Sequence, residues 1–464
     1  MATAHRGCGS CKHGSIGLVT KQEICMFRSL LTSCALGMVC IAATSTVPAG
    51  AYMQAPEHDV ADSEGRLAHR AQDVVAVFKG ALEPDEVFAE SFLAAVPPTQ
   101  LQAINAQLTA QFGAVVGVET VTPRPDGQAN IAIRFERALA RGTIAVAPGP
   151  EGKITGLLFK VFEPVDDSAA KITAELAALP GRVTALFAPL AVDGAPVISL
   201  GAEQPLAIGS AFKLYVLAAL AEQVDRHKTG WDRTVELTAK SFPSGMMQDW
   251  PDGSPVTLHT LATLMISISD NTATDQLIAL LGREAIEREI RASGHGAPDS
   301  MLPFLDTLEL FALKGDVARG ERFGQASESE QRALLRQLQS EIGGDRNAIT
   351  PPVFTEPTLI DTVEWFASPA DLRGLLRRLV ERKDTTARAI LAVNPSVSEA
   401  VKPQWSYIGY KGGSEPGVLN LTWLLRDREE RWHILTLGWN NPDALVDTST
   451  LELFAMRIMA LPRS

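Results

Sequence analysis

Beyond Cys40 the chain has no cysteine: all five, Cys8, Cys11, Cys25, Cys34 and Cys40, fall within the first 40 of its 464 residues. The remainder therefore has no disulfide framework, no thiolate metal site and no cysteine nucleophile. Positive charge is also scarce, with 38 basic against 53 acidic side chains in residues 52–464, a net −15. Such a surface repels nucleic acid and anionic lipid. The histidines past the leader, His58, His69, His227, His259, His295 and His433, show no H-x-H-x-D or H-E-x-x-H spacing, which argues against a zinc hydrolase. No G-x-S-x-G elbow and no G-x-G-x-x-G or Walker loop occurs, so an α/β-hydrolase and a nucleotide-binding loop are disfavoured, and no cofactor or metal is implied.

What is present begins with a leader. From Met26 the chain runs through Arg28, an uncharged apolar stretch from Leu30 to Ala43, and then Thr46-Val47-Pro48-Ala49-Gly50-Ala51. A basic start, a short apolar region and small residues at Ala49 and Ala51 predict a secretory signal peptide, with residues 1–51 as leader and Met26 as a candidate start. The competing reading is a buried N-terminal helix. Leu31-Thr32-Ser33-Cys34 resembles a lipobox but lies close behind Arg28, and Cys8-Gly-Ser-Cys11 has no partner pair. The apolar run is too short to be a good membrane span. The expectation is a secreted or periplasmic protein with no stable span once the leader is removed.

A body of about 413 residues is too long for one ordinary core and suggests two domains. Helical periodicity over 57–80 and 85–112, the second stretch split by Pro97-Pro98, gives way to period-two strands at Val115–Val121, Ala129–Phe135, Thr143–Ala147 and Ile154–Phe162. Helices followed by a meander predict an α+β domain over 57–164, one antiparallel sheet cupping its helices. A cup of this kind can hold a ligand; the plainer reading is a structural or docking module, since no concentrated set of polar groups marks it. After a hinge at Pro164–Ser168, a second, α/β-type domain over 168–464 is expected. It comprises a helix at Ala169–Leu179, strands at Val183–Phe187 and Pro196–Leu200, an all-helical insertion, strands at Trp405–Lys411, Leu419–Arg426 and Trp432–Trp439, and a last helix at about Thr448–Leu461. The sheet is thus assembled from both ends of the domain, and a site at the seam is natural.

Three motifs carry chemistry. Ser210-Ala211-Phe212-Lys213 opens a helix that continues apolar on every side, so the lysine lies one turn above the serine in a setting that lowers an amine's pKa. S-x-x-K alone is expected by chance about 0.6 times in such a body and proves little. Ser269-Asp270-Asn271 at the end of the helix Leu258–Ser267, and Lys411-Gly412-Gly413-Ser414 on the strand after Trp405, follow it in order, which makes coincidence on the order of one in a thousand. Together they supply a nucleophile, an amine base, a second hydroxyl, an amide and a second cation, the parts that acyl transfer requires. Among weaker candidates, Trp250 in its turn-rich loop either walls a cleft or packs on its own domain, and His259 reads as a capping or surface residue.

These motifs resemble those of the penicilloyl-serine superfamily, with spacing similar to class A β-lactamases, over residues 168–464. The resemblance implies an antiparallel sheet flanked by helices plus an all-helical lobe. It implies that Ser210 attacks the acyl carbon, that Lys213 activates it, that Ser269 relays a proton to the leaving nitrogen, that Asn271 holds the substrate side chain and that Lys411 attracts its carboxylate. The N–H groups of Ser210 and Ser414 would form the oxyanion hole, worth roughly 3 kcal/mol per donor. The 57–164 segment resembles a cystatin/steroid-isomerase cup, so the whole chain looks similar to two-domain serine hydrolases related to that of the clavulanic acid pathway. Two departures stand out. Gly412 takes the place of the family's usual Thr or Ser, a hydroxyl that Ser414 would have to replace. Leu305-Asp306-Thr307-Leu308-Glu309 resembles the start of the omega loop, with Glu309 as the water-activating base, but the asparagine expected four residues on is Leu313 and the segment reads equally as helix. The implied partner is a small acyl substrate, β-lactam-like or peptide-like. An exported hydrolase, a binding protein that acylates and stalls, and a D-alanyl-D-alanine peptidase or esterase all remain open.

Overall fold

The computed structural model describes residues 58–462 apart from 150–151, 166, 192, 344, 346–347, 350–351 and 398–400. The predicted signal peptide and its cleavage site lie outside the described residues. Prolines and one strand bridge cut the first helices. α1 spans His58–Phe78, α2 Pro84–Val87, α3 Glu90–Ala95 and α4 Pro98–Phe112, with proline in the first turn of α2 and α4, where its missing N–H costs nothing. Two helices were expected over 85–112, but there are three. Phe88 leaves the helix to bridge Ile154, and the N–H of Ala89 reaches the Ile154 carbonyl at 2.8 Å.

The strands that follow are β1 (Val115–Arg124), β2 (Gln128–Phe135), β3 (Ala138–Val146) and β4 (Ile154–Pro164), an antiparallel meander in the order β1-β2-β3-β4. Alternation sends Ile131, Ile133 and Phe135 inward onto Leu67, Ala71, Val74 and Phe78 of α1. This core draws only on residues between Leu67 and Phe162.

The second part begins with α5 (Ala169–Ala177), β5 (Arg182–Pro189), β6 (Ile198–Leu200) and β7 (Leu206–Ala207). A 3-10 turn at Gly209–Phe212 leads into α6 (Lys213–Asp225), followed by β8 (Thr234–Glu236), β9 (Pro255–Thr257), α7 (Leu258–Ser267), α8 (Asn271–Leu281) and α9 (Arg283–Ala292). Next come α10 (Thr307–Gly315), α11 (Val317–Gln325), α12 (Glu328–Ile342), β10 (Phe366–Ala367), α13 (Pro369–Glu381) and α14 (Thr386–Leu391). The chain closes with β11 (Tyr407–Glu415), β12 (Val418–Arg426), β13 (Trp432–Asn440) and α15 (Thr448–Met459).

β5, β6 and β11–β13 form one antiparallel sheet in the order β11-β12-β13-β5-β6, built from both ends of this part of the chain as its pattern predicts. The insertion is not all-helical, since β7 pairs with β10 and β8 with β9. The two faces of the sheet sort by alternation. Leu186, Ala188, Leu424 and Ile434 face the helical side that contains α6, while Phe187, Trp423, Leu435 and Leu437 face α5 and α15. Arg457 of α15 fastens the latter face to the start of this part, donating to Asp167 at 2.9 Å and to Glu175 at 2.6 Å. Two short elements set the entry to α6. The Ile208 N–H donates to Trp365 at 3.0 Å, and the buried amide of Asn440 on β13 pairs with both backbone groups of Ala207, accepting at 2.8 Å and donating at 3.1 Å.

Asn440 thus acts as a ladder partner for β7. Asn440→Ala leaves two buried backbone groups of Ala207 unpaired and is expected to cost about 2 to 4 kcal/mol. All seven tryptophans lie between Trp231 and Trp439, so a urea titration followed by tryptophan fluorescence reads the loss in this part of the chain. An unchanged midpoint would show that the amide is dispensable.

Candidate active site

Residues 206–209 and 211–221 are buried, and Ser210 between them is accessible. The sequence pattern begins an α-helix at Ser210. Instead residues 209–212 form a 3-10 turn and the α-helix starts at Lys213. Side chains three apart eclipse in a 3-10 turn, so the tighter winding keeps Lys213 above Ser210. The Lys213 side chain has no exposure. Its amine donates to the Ser269 carbonyl at 2.7 Å, to Ser269 Oγ at 3.0 Å and to Asn271 Oδ1 at 2.7 Å. Burial holds its pKa well below the ordinary lysine range, the Lys411 charge lowers it further, and Asp275 and Asp270 oppose the shift.

Ser269 stands between the end of α7 and the start of α8 in the left-handed region, at φ 59°. A serine there is strained by roughly 1 to 2 kcal/mol. Its carbonyl is held by Lys213 and also accepts from Ser244 Oγ at 2.7 Å, a contact not anticipated from the sequence. Asp270 is fully buried and structural: it caps α8 through the N–H of Ala273 and takes the N–H groups of Met246 and Met247 at 2.7 and 2.9 Å. Both ends of the Asn271 amide are engaged, Oδ1 by Lys213 and Nδ2 by the Phe242 carbonyl at 3.1 Å. The residue expected to hold a substrate side chain is therefore an anchor for the lysine as well.

The third motif lies inside β11, which continues past Lys411 to Glu415. β11 is an edge strand, free on one side to face the Ser210 turn. Gly413 is the point of closest approach, since a Cβ there would lie 2.4 Å from the Ser210 nitrogen and 2.1 Å from the Ile208 carbonyl oxygen. No other residue fits. A Cβ on Gly209 would stand 3.1 Å from the Ser414 nitrogen, so the backbone nitrogens of Ser210 and Ser414 converge on one small region. Lys411 is buried and donates to Ser269 Oγ at 3.1 Å, and burial lowers its pKa to about 7. Gly412 has a reason the motif did not disclose. Alternation turns it to the opposite face from Lys411, where a Cβ would meet the Tyr410 phenol oxygen at 2.2 Å, and Tyr410 itself packs on Trp423. Ser414 shares Gly412's parity and is exposed, so its hydroxyl is not a simple replacement for one at Gly412.

Glu309 is not brought to the serine. It is the third residue of α10 and closes a capping box with Asp306. One carboxylate oxygen accepts from Arg283 at 2.7 Å and Gln339 at 2.8 Å, the other from the Asp306 N–H at 3.0 Å. It lines a separate cavity of about 460 Å³ with Asp275, Arg283 and Asp306, a lining that includes none of Ser210, Lys213, Ser269, Asn271 or Lys411. The segment is helix because the aspartate cap and glutamate at the third position make one. Its approach to α8 is set by buried Asp275, which accepts from Thr307 N, Thr307 Oγ1 and Leu308 N. Burial raises the Asp275 pKa to about 6 against those bonds. Trp250 packs against the helical core, and His259 is an exposed residue of α7.

Two buried amines, one hydroxyl between them, an accessible serine beside converging backbone nitrogens and an adjacent carboxamide are the kinds of group that serine acyl transfer uses. Residues 167–353 match the model of the beta-lactamase enzyme family, so that part of the chain is similar to it. Among solved structures, a beta-lactamase from Sphaerobacter thermophilus is 21% identical with a TM-score of 0.43, over 63% of this chain and 93% of that one. PBP-A is 16% identical at 0.43 over 63% and 93%, and a beta-lactamase from Francisella tularensis is 14% identical at 0.42 over 63% and 97%. No curated protein matches the chain.

Because Lys411 depresses the Lys213 pKa, removing that charge should raise it. In Lys411→Met, the Lys213 amine should titrate at a higher pH than in the wild type, read by NMR of ¹⁵N-lysine Nζ. An unchanged titration would mean that the two amines are not coupled across Ser269.

Proposed function

We propose that the protein is an exported serine hydrolase that forms an acyl-enzyme on Ser210 from a β-lactam or a related small amide or ester. The observation that carries this reading is the Ser269 hydroxyl within hydrogen-bond reach of both Lys213 and Lys411. With Lys213 neutral, Ser269 can turn its proton towards that nitrogen while accepting from Lys411. As the Ser210 hydroxyl attacks, the Ser269 proton turns away from Lys213, which takes the Ser210 proton; Ser269 then passes its own proton to the leaving nitrogen as the C–N bond breaks and recovers one from the Lys213 ammonium. The developing oxyanion is received by the N–H groups of Ser210 and Ser414, and the substrate carboxylate by Lys411. Asn271 orients the base. Export is supported by the leader sequence, and a division into domains at 57–164 and 168–464 by the separate apolar core of the first segment. The first domain serves in this reading as a docking or structural module.

A second reading, in which the acyl-enzyme persists and the protein acts as a receptor or scavenger, is favoured by one observation: every carboxylate oxygen of Glu309 is engaged within the α10 cap and by Arg283 and Gln339. Among the described residues, no carboxylate hydrogen-bonds to the Lys213 amine. A D-alanyl-D-alanine peptidase or esterase would use the same serine and lysine.

Intact mass after exposure to benzylpenicillin, at seconds and at one hour, separates these readings. An adduct at seconds that has cleared by one hour is turnover, and one that remains is the stalled state. Ser210→Ala should take no label, and label on that variant would remove the nucleophile assignment. The second-order acylation rate should rise with pH as Lys213 loses its proton and fall above about 7 as Lys411 loses the charge that attracts the carboxylate. A rate that climbs steadily from pH 5 to 9 would contradict the role of Lys411.

A further inference from the structure

We infer that Lys314, on the helical insertion, is a positioning residue that holds the two walls of the oxyanion site in register. The inference rests on the acyl-enzyme reading above. Lys314 of α10 is fully buried and its amine joins two carboxylates, Glu364 at 2.5 Å and Glu415. Each carboxylate neighbours one wall. Glu415 directly follows Ser414 on β11. Glu364 directly precedes Trp365, accepts from the Trp365 N–H at 3.2 Å, and so fixes the residue that grips the serine turn from both sides. The Trp365 carbonyl accepts from the N–H of Ile208, and the Trp365 indole stacks on Phe212 with ring centroids 3.7 Å apart at 15°. Ser210 lies midway between Ile208 and Phe212 in sequence. One ammonium thus ties the strand that presents the Ser414 nitrogen to the segment that clamps the Ser210 nitrogen.

The charge arrangement supports a tie that does not relax. Burial pulls the Lys314 pKa down, but the two carboxylates outweigh it and the amine stays charged. Burial and the neighbouring Glu364 push the Glu415 carboxyl well above the usual range, and the Lys314 ammonium opposes that shift. Removing one partner of such a buried group leaves the rest uncompensated, which keeps the elements together. A misplacement of about 1 Å at a site of this kind can cost about 100-fold in rate.

The test uses the full chain and benzylpenicillin, and measures the acylation rate constant separately from the pre-covalent dissociation constant. Lys314→Met should lower the rate constant about 10- to 100-fold while leaving the dissociation constant nearly unchanged, and Lys314→Arg should recover most of the loss. Glu415→Ala leaves Lys314 paired with Glu364 and serves as the test if Lys314→Met fails to fold; it should show the same split, with Glu415→Gln, which keeps an acceptor for Lys314, closer to wild type. Variants that lose thermal stability but acylate at the wild-type rate overturn the inference and assign Lys314 to stability alone. A wild type that takes no label overturns instead the acyl-enzyme reading beneath it.

Discussion

Two lysine amines meet at the hydroxyl of Ser269, and most of the surrounding architecture follows from keeping them there. Bringing two cations out of water and within reach of one oxygen is unfavourable unless at least one of them gives up its proton readily and the remaining donors find acceptors. Burial on α6 lowers the Lys213 pKa, burial on β11 lowers that of Lys411, and the acceptors come from the Ser269 carbonyl, the Asn271 amide and the Gly412 carbonyl. The left-handed backbone at Ser269 accompanies this arrangement, since the turn between α7 and α8 presents both its carbonyl and its hydroxyl to the Lys213 amine.

The fold supplies what this arrangement needs from opposite directions. The sheet contributes an edge strand whose Gly413 admits the serine turn to within contact distance, and the helical side contributes a packed sleeve around α6 that excludes water from Lys213. The acidic balance of the chain does not reach the lysines as direct partners. Asp270 is spent on capping α8 and holding Met246 and Met247, and Asp275 on the start of α10. A net negative protein can in this way keep two lysine amines together without, among the described residues, a carboxylate bonded to either.

The helical insertion bears on the site through its anchors. Its helix α10 begins with a capping box that engages Glu309 and ends near Lys314, which reaches across to β11 and to the segment before β10. A carboxylate and an ammonium five residues apart thus have separate structural settings, one at a distinct cavity and one between Glu364 and Glu415.

Period-two and helical patterns were enough to find both sheets, the pairing of early with late strands, and α6 as a buried helix, because burial demands apolar side chains at fixed spacings and that demand is local. That Lys213, Ser269, Asn271 and Lys411 come together was legible for a related reason: three motifs in order are hard to produce by chance. The structure alone revealed the 3-10 start at Gly209, the extension of β11 through Ser414, the Tyr410 phenol packed against Gly412, and the commitment of Glu309 to its own helix cap. Each depends on atoms far apart in the chain or on a contest between two local choices. At Glu309 the contest lay between a loop that would carry its carboxylate to Ser210 and a helix whose first N–H groups Asp306 could satisfy. The capping bonds and the Arg283 and Gln339 contacts, the last 30 residues away in sequence, accompany the helical outcome.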